Sequence, residues 1–249
     1  MDCSEKISRE HYISKAILEL MEGGIEVSGL PWLPAGKTVT YGINSLVSNV
    51  LCERHNSALS PLDDLATRVF KTIRTVCDDL NHRSLSRRTK WHLVSGEALE
   101  LWCIKTLLGL FFSTVASNQG ESLIHKYTID VHGFVEAIRT RHFLPGCGLY
   151  GRRSAGDYTG LLSWAPLSVE RVARVIGVRM RMCAVEFEVF LDPVNVDFEE
   201  VLKEATFRPW NLIFTDGKRK HVIVLSWADK PEGHGRRIDY RVQPTLAAR

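Results

Sequence analysis

Glu10-His11-Tyr12-Ile13-Ser14-Lys15 and Leu51-Cys52-Glu53-Arg54-His55-Asn56 are the two stretches whose reading decides the fold of this chain. Between them lies GGIEVSGLPWLPAGKTVTYGINS, residues 23–45. Its Gly and Pro content marks turns, and the β-branched and aromatic run Thr38–Tyr41 suits a strand. A carboxylate beside an imidazole places a hard oxygen ligand and a general base on adjacent residues. An asparagine amide adds a further neutral oxygen ligand. A divalent cation held next to a base is what hydrolysis of a phosphodiester requires, because water must be activated and the leaving oxygen neutralised. Histidine suits the base, since its ordinary pKa lies near neutrality.

In this order, Glu10-His11 with Ile13-Ser14-Lys15, a Gly-rich hairpin carrying Asn44, and LCERHN at a helix start resemble the HNH family of ββα-metal nucleases. The resemblance covers about the first 65 residues. It implies that His11 is the general base. Glu10 and Asn56 would hold one Mg²⁺ or Mn²⁺, in the variant of the motif that ends in Asn. Asn44 would pin the loop carrying the base, with Asn49 as the alternative. Cys3, Cys52 and His55 would supply ligands to a Zn²⁺ if the knuckle is occupied. The implied activity is endonuclease cleavage of nucleic acid, DNA in the first instance, in a restriction, mobile-element or phage-defence setting. A second reading stays open, a module that keeps the fold without activity and binds a protein partner through the C-terminal region.

Outward from these motifs, Pro61 is expected to break the short helix of LCERHNSALS or to start a new one. Leu62, Leu65, Val69, Ile73, Val76 and Leu80 recur at helical spacing, with Asp63 and Asp64 placed in the first turn. NHRSLSRRTKWH is a basic, polar stretch; Arg83, Arg87, Arg88 and Lys90 beside Trp91 and His92 suit a solvated loop or a phosphate contact. GEALELWCIKTLLGLFF is the most apolar helix, and Ile129–Thr140 a third. HFLPGCGLYGRRSAG is expected to be a loop, Arg152-Arg153 included. Further on, VRMRM and VEFEVF alternate, with a phase slip at Cys183-Ala184 that implies a bulge or bend. Asp216-Gly217 between apolar runs signals a hairpin, with Lys218, Arg219 and Lys220 solvating its turn. The tail from Lys230 onward is expected to be loosely held.

The expectation is therefore an α+β protein. It has an HNH-like ββα-metal module over 1–65, a helical region over 66–145 and an antiparallel β-rich region over 146–249. Composition agrees with a packed core: 249 residues, 45% hydrophobic and 24% charged. A net charge of +3 is too small to argue nucleic-acid binding on its own. The longest apolar run, 98–116, is interrupted by Glu100 and Lys105, which favours a buried amphipathic helix over a membrane span. The start has no apolar export segment, so a cytoplasmic location with reduced thiols is expected. Cys77, Cys103 and Cys183 are expected as small core residues.

Overall fold

The computed structural model describes residues 6–20, 25–28, 34, 37–81, 88–113, 117–118, 121–153, 162–183, 185–228 and 236–242. The first segment runs β1 (Glu10–His11), α1 (Lys15–Leu18), β2 (Ile25–Ser28), β3 (Thr38–Tyr41), β4 (Val47–Ser48) and α2 (Glu53–Asn81). β1 pairs antiparallel with β4, and β2 with β3. The Thr38–Tyr41 strand thus forms where it was expected. Residues 29–33 and 35–36 of the Gly/Pro-rich stretch lie outside the described residues.

Pro61 does not interrupt the helix. α2 is one 29-residue element that runs through it and across residue 65. Proline removes the N–H that would bond the carbonyl four residues back. Here the Ser60 hydroxyl donates to that carbonyl, Ser57 O, at 3.0 Å. The apolar stripe Val69, Ile73, Val76 and Leu80 then buries completely. Its burial holds the helix together where local propensity would stop it.

The middle segment holds β5 (Lys90–Ser95), α3 (Gly96–Phe111), β6 (Ser117–Asn118), β7 (Glu121–Ser122), α4 (Leu123–Lys126), β8 (Thr128–Ile129) and α5 (Val131–Thr140). β5 corrects the expectation of a loop at Lys90-Trp91-His92, because it adds to a sheet built by the far end of the chain. α3 starts on a Ser95 cap whose hydroxyl accepts from Ala98 N. It is not amphipathic: thirteen of its residues are buried. A helix buried all round sits in the core of the molecule. Among the described residues no helix is long and apolar enough to cross a membrane.

The last segment holds β9 (Gly148–Arg152), β10 (Leu162–Val169), β11 (Arg174–Met182), β12 (Val185–Phe190), α6 (Phe198–Glu204), β13 (Ala205–Phe207), β14 (Asn211–Thr215), β15 (Lys220–Ser226) and β16 (Arg237–Arg241). One sheet has the order β10-β11-β12-β9-β13, with β8 added in parallel to β11. The other has the order β16-β14-β15-β5. The β14–β16 and β15–β5 pairings are parallel, beside the antiparallel ones expected. The architecture is α+β, with the helical middle between N-terminal strands and C-terminal sheets. Tyr12 and Ile17, the inner faces of α2 and α3, and both larger sheets share one apolar core. Cys77, Cys103 and Cys183 lie in it as expected.

Four local expectations change. The loop at 148–152 is β9, a strand inside the larger sheet. Gly148 takes φ +134°, and a Cβ there would lie 2.7 Å from a Glu100 carboxylate oxygen, so only glycine allows this strand to start. The slip at Cys183 is neither a bulge nor a bend within one strand; it is the turn of the β11–β12 hairpin, with Cys183 at φ 52°. The tail is not loose over 236–242, since Ile238, Tyr240 and Val242 alternate inward and bury. The Asp216-Gly217 hairpin forms as expected, but Arg219 does not solvate it. Arg219 is 8% exposed and donates to the Asp79 and Leu80 carbonyls, closing the C-terminal end of α2. Backbone N–H groups of Arg219 and Lys218 outweigh burial at Asp216 and bring its carboxyl down to about 2.

Gly177 on β11 offers a direct test of this packing. A Cβ there would overlap the Val189 carbonyl on β12, a backbone group that cannot swing away. Gly177→Ala is expected to cost about 1–3 kcal/mol in urea unfolding. An unchanged midpoint would contradict the close approach of these strands.

Candidate functional site

Residues 6–11 run antiparallel beside residues 47–53. Glu10 faces Ser48 and His11 faces Val47. Ile7 bridges to Cys52, Ser8 N donates to Leu51 O at 2.9 Å, and Glu53 N donates to Lys6 O at 3.0 Å. The two motifs that open the sequence therefore lie side by side, and α2 begins directly after the second.

His11 is half-buried, with the Ile43 backbone beside its ring. Its Nε2 is buried without a partner. Burial, then Lys15, hold the imidazole below its ordinary pKa, against the pull of Ile43, Asp63 and Glu19. The neutral ring is the form a general base needs.

Glu10 is 5% exposed. Its Oε1 pairs with the ammonium of Lys105, and its Oε2 is buried without a partner. Burial raises its pKa against the opposing effect of Lys105, and Asp63 raises it further. Lys105 also contacts Asp63 Oδ2, and Trp102 Nε1 donates to Asp63 Oδ1 at 3.1 Å. Asp63 is thus not a first-turn residue. It stands roughly three turns into α2 and faces α3.

The remaining expected residues are distributed as follows. Asn44 is exposed in a short 3₁₀ turn, Ile43–Ser45, and Asn49 is exposed beyond β4. Asn56 is half-buried in the first turn of α2, its N–H bonded to Cys52 O at 2.9 Å. Cys52 Sγ lies 3.1 Å from His55 Nδ1, and the His55 N–H points at the same sulfur at 3.5 Å. Cys3 lies outside the described residues, as do Arg83 and Arg87. Among the described residues no three His, Cys, Asp or Glu side chains converge as a metal-binding group.

The sequence reading missed Asp63, Trp102 and Lys105. One signal was available: a lysine inside an otherwise apolar helix must find a carboxylate when that helix is buried. Glu100 obeys the same rule on another face of α3, about 140° round the axis from Lys105. It binds Arg208 Nη2 at 3.1 Å and accepts the Leu149 N–H at 2.6 Å. The two charges that interrupt the apolar run tie α3 to the N-terminal motifs and to the C-terminal sheets.

A second polar cluster joins α2 to the four-stranded sheet. Asp79 Oδ2 lies 2.8 Å from His221 Nε2 and 3.2 Å from Lys90 Nζ, and the His221 and His92 rings stack at 5.9 Å. Burial, His221 and Lys90 lower the pKa of His92. Its folded form favours the neutral ring, so this contribution is present above the ordinary imidazole value and declines as pH falls. Thermal stability is expected to drop between about pH 7 and pH 5, and His92→Phe, which keeps the stack, should flatten part of that slope. An unaltered slope in melting scans would remove His92 from the account. On the larger sheet, Arg179 meets Glu188 across strands at 2.6 Å. Arg152 and Arg153 are bound rather than solvated, to Glu188 and Thr206 among others.

No protein-family model, curated protein or solved structure matches this chain.

Proposed function

We propose that this chain is a metal-dependent HNH-like endonuclease that hydrolyses phosphodiester bonds in nucleic acid, DNA in the first instance, as a cytoplasmic enzyme. One observation supports this above the others. On adjacent residues of one short strand, His11 Nε2 and Glu10 Oε2 are each buried without a partner, while Glu10 Oε1 is held by Lys105. A buried polar atom left bare calls for a further group, an ion or a water, and here two such atoms stand on adjacent residues.

In this reading His11 Nε2 takes the proton of a water that attacks phosphorus in line. Glu10 Oε2 and the Asn56 amide would hold Mg²⁺ or Mn²⁺, which when bound neutralises charge at the leaving oxygen. Cys52 and His55, already turned toward each other, would hold Zn²⁺ together with Cys3. The orphaned carboxylate oxygen fits a hard cation, and the thiol–imidazole pair fits zinc.

A second reading has its own observation. Lys105 already neutralises one oxygen of Glu10, which suits a module that keeps the fold without cleavage and acts through a protein partner at the C-terminal sheets. Incubation with supercoiled plasmid separates the two. Relaxation in Mg²⁺ or Mn²⁺ that disappears with EDTA and with Glu10→Gln is the expected result. Intact plasmid in both ions would leave the binding module.

A further inference from the structure

Lys105 is a charged group at the candidate site that the nuclease reading does not use. Its side chain is 4% exposed and comes from α3, well outside the two N-terminal motifs. The ammonium touches Glu10 on β1 and Asp63 on α2. Asp63 is itself fixed. Trp102 Nε1 donates to its carboxylate, and Thr67 Oγ1 donates to its backbone carbonyl at 2.8 Å. Thr67 Oγ1 in turn lies 3.1 Å from Ser14 Oγ, three residues after His11.

Two carboxylates, Glu10 and Asp63, face one ammonium. Glu10 and Lys105 are buried there, whereas the Asp63 side chain keeps 21% exposure, so the unmet demand for a partner falls on Glu10. The bare Glu10 Oε2 lies in the same cluster. Asp63 has a partner on each carboxylate oxygen, and Glu10 on only one.

We propose that Lys105 is a resident cation of this site, which makes Asp63 its second carboxylate and competes with an added divalent ion for both. This rests on the reading that Glu10 holds such an ion. Lys105 fixes one oxygen of Glu10, and its charge opposes any second cation brought against the other. A divalent ion therefore binds weakly while the ammonium is in place. Affinity rises when the ammonium is removed.

The test is titration of Mn²⁺ alone into the purified chain, followed by calorimetry and by the loss of free-ion paramagnetic resonance signal. Lys105→Met is expected to bind Mn²⁺ about tenfold more tightly than the wild type, or better, because a buried like charge no longer opposes the ion. Lys105→Gln keeps donors for both carboxylates, guards against a misfolded methionine variant, and is expected to show the same gain. Lys105→Arg keeps the charge and should show none. Adding Glu10→Gln to Lys105→Gln should abolish the gain. Damage to the fold lowers affinity, so a gain is not what a purely structural lysine would produce. Glu10-dependent Mn²⁺ binding in the wild type that is unchanged or weaker in both neutral variants overturns the inference and leaves the nuclease reading standing. No Mn²⁺ binding by the wild type or by either neutral variant overturns both.

Discussion

Arg208→Met is expected to lower the unfolding free energy by about 3–5 kcal/mol, the range for removing one partner of a buried ion pair. Glu100 is 1% exposed and Arg208 8% exposed. The guanidinium also lies 5.4–5.5 Å from the rings of Phe143, Phe207 and Trp227. No solvent stands ready to replace it. Burial pushes Glu100 up to about 7, against Arg208 and the Leu149 N–H, which favour the carboxylate. A carboxyl raised in the folded state contributes stability that is present below its ordinary value and lost as pH rises through about 7. Without Arg208 the carboxyl rises further and takes a proton. The deficit of the variant should therefore be smaller at about pH 5.5 than at about pH 8. Adding Glu100→Gln removes the stranded charge and keeps an acceptor for Leu149 N–H, so the double variant should regain at least half of the loss. Urea unfolding at the two pH values decides this. A small loss, equal at both, would mean that the pair does not anchor α3 to the sheets.

The second large effect is on activity. On the proposed nuclease reading, His11→Ala is expected to reduce plasmid cleavage by about 10²–10⁴-fold, the usual contribution of a positioned general base. The backbone pairing of His11 with Val47 does not need the side chain, so the variant should unfold near the wild-type midpoint. Loss of cleavage without loss of stability separates a chemical role from a packing role. Initial rates for the wild type and the variant in Mn²⁺ provide the measurement. Equal rates would move the base elsewhere and remove the basis for placing the active site on β1.

Much of the layout of the candidate site was legible because its residues are local in sequence. Glu10 with His11, and Cys52 with His55 and Asn56, are each contiguous or one helical turn apart. Residue spacing therefore predicts their proximity before any tertiary contact forms. Asp63 and Lys105 are 42 positions apart, and no local period joins them. They meet only because α3 is buried and its one lysine must find carboxylates. Similarly, Pro61 signals a break to anyone reading locally, yet Ser60 supplies the missing hydrogen bond and the core supplies the rest.

Hydrophobic periodicity and turn chemistry were enough for the α+β class, for the Thr38–Tyr41 strand, for the apolar face of α2, and for the hairpin at Asp216-Gly217. These depend on neighbours within a few residues. Tertiary structure decided that Lys90–Ser95 is a strand, since β5 exists through its parallel pairing with β15, more than a hundred residues later. It decided that Gly148–Arg152 is a strand, held between β12 and β13 with a glycine against Glu100. It also decided which charges are buried. Glu100 and Lys105 look alike as interruptions of an apolar run, and only the packing of α3 between the N-terminal motifs and the two sheets assigns each its partner. Strand pairing and buried ion pairs are contacts at long sequence separation, and their energies depend on what the rest of the chain brings to the same place.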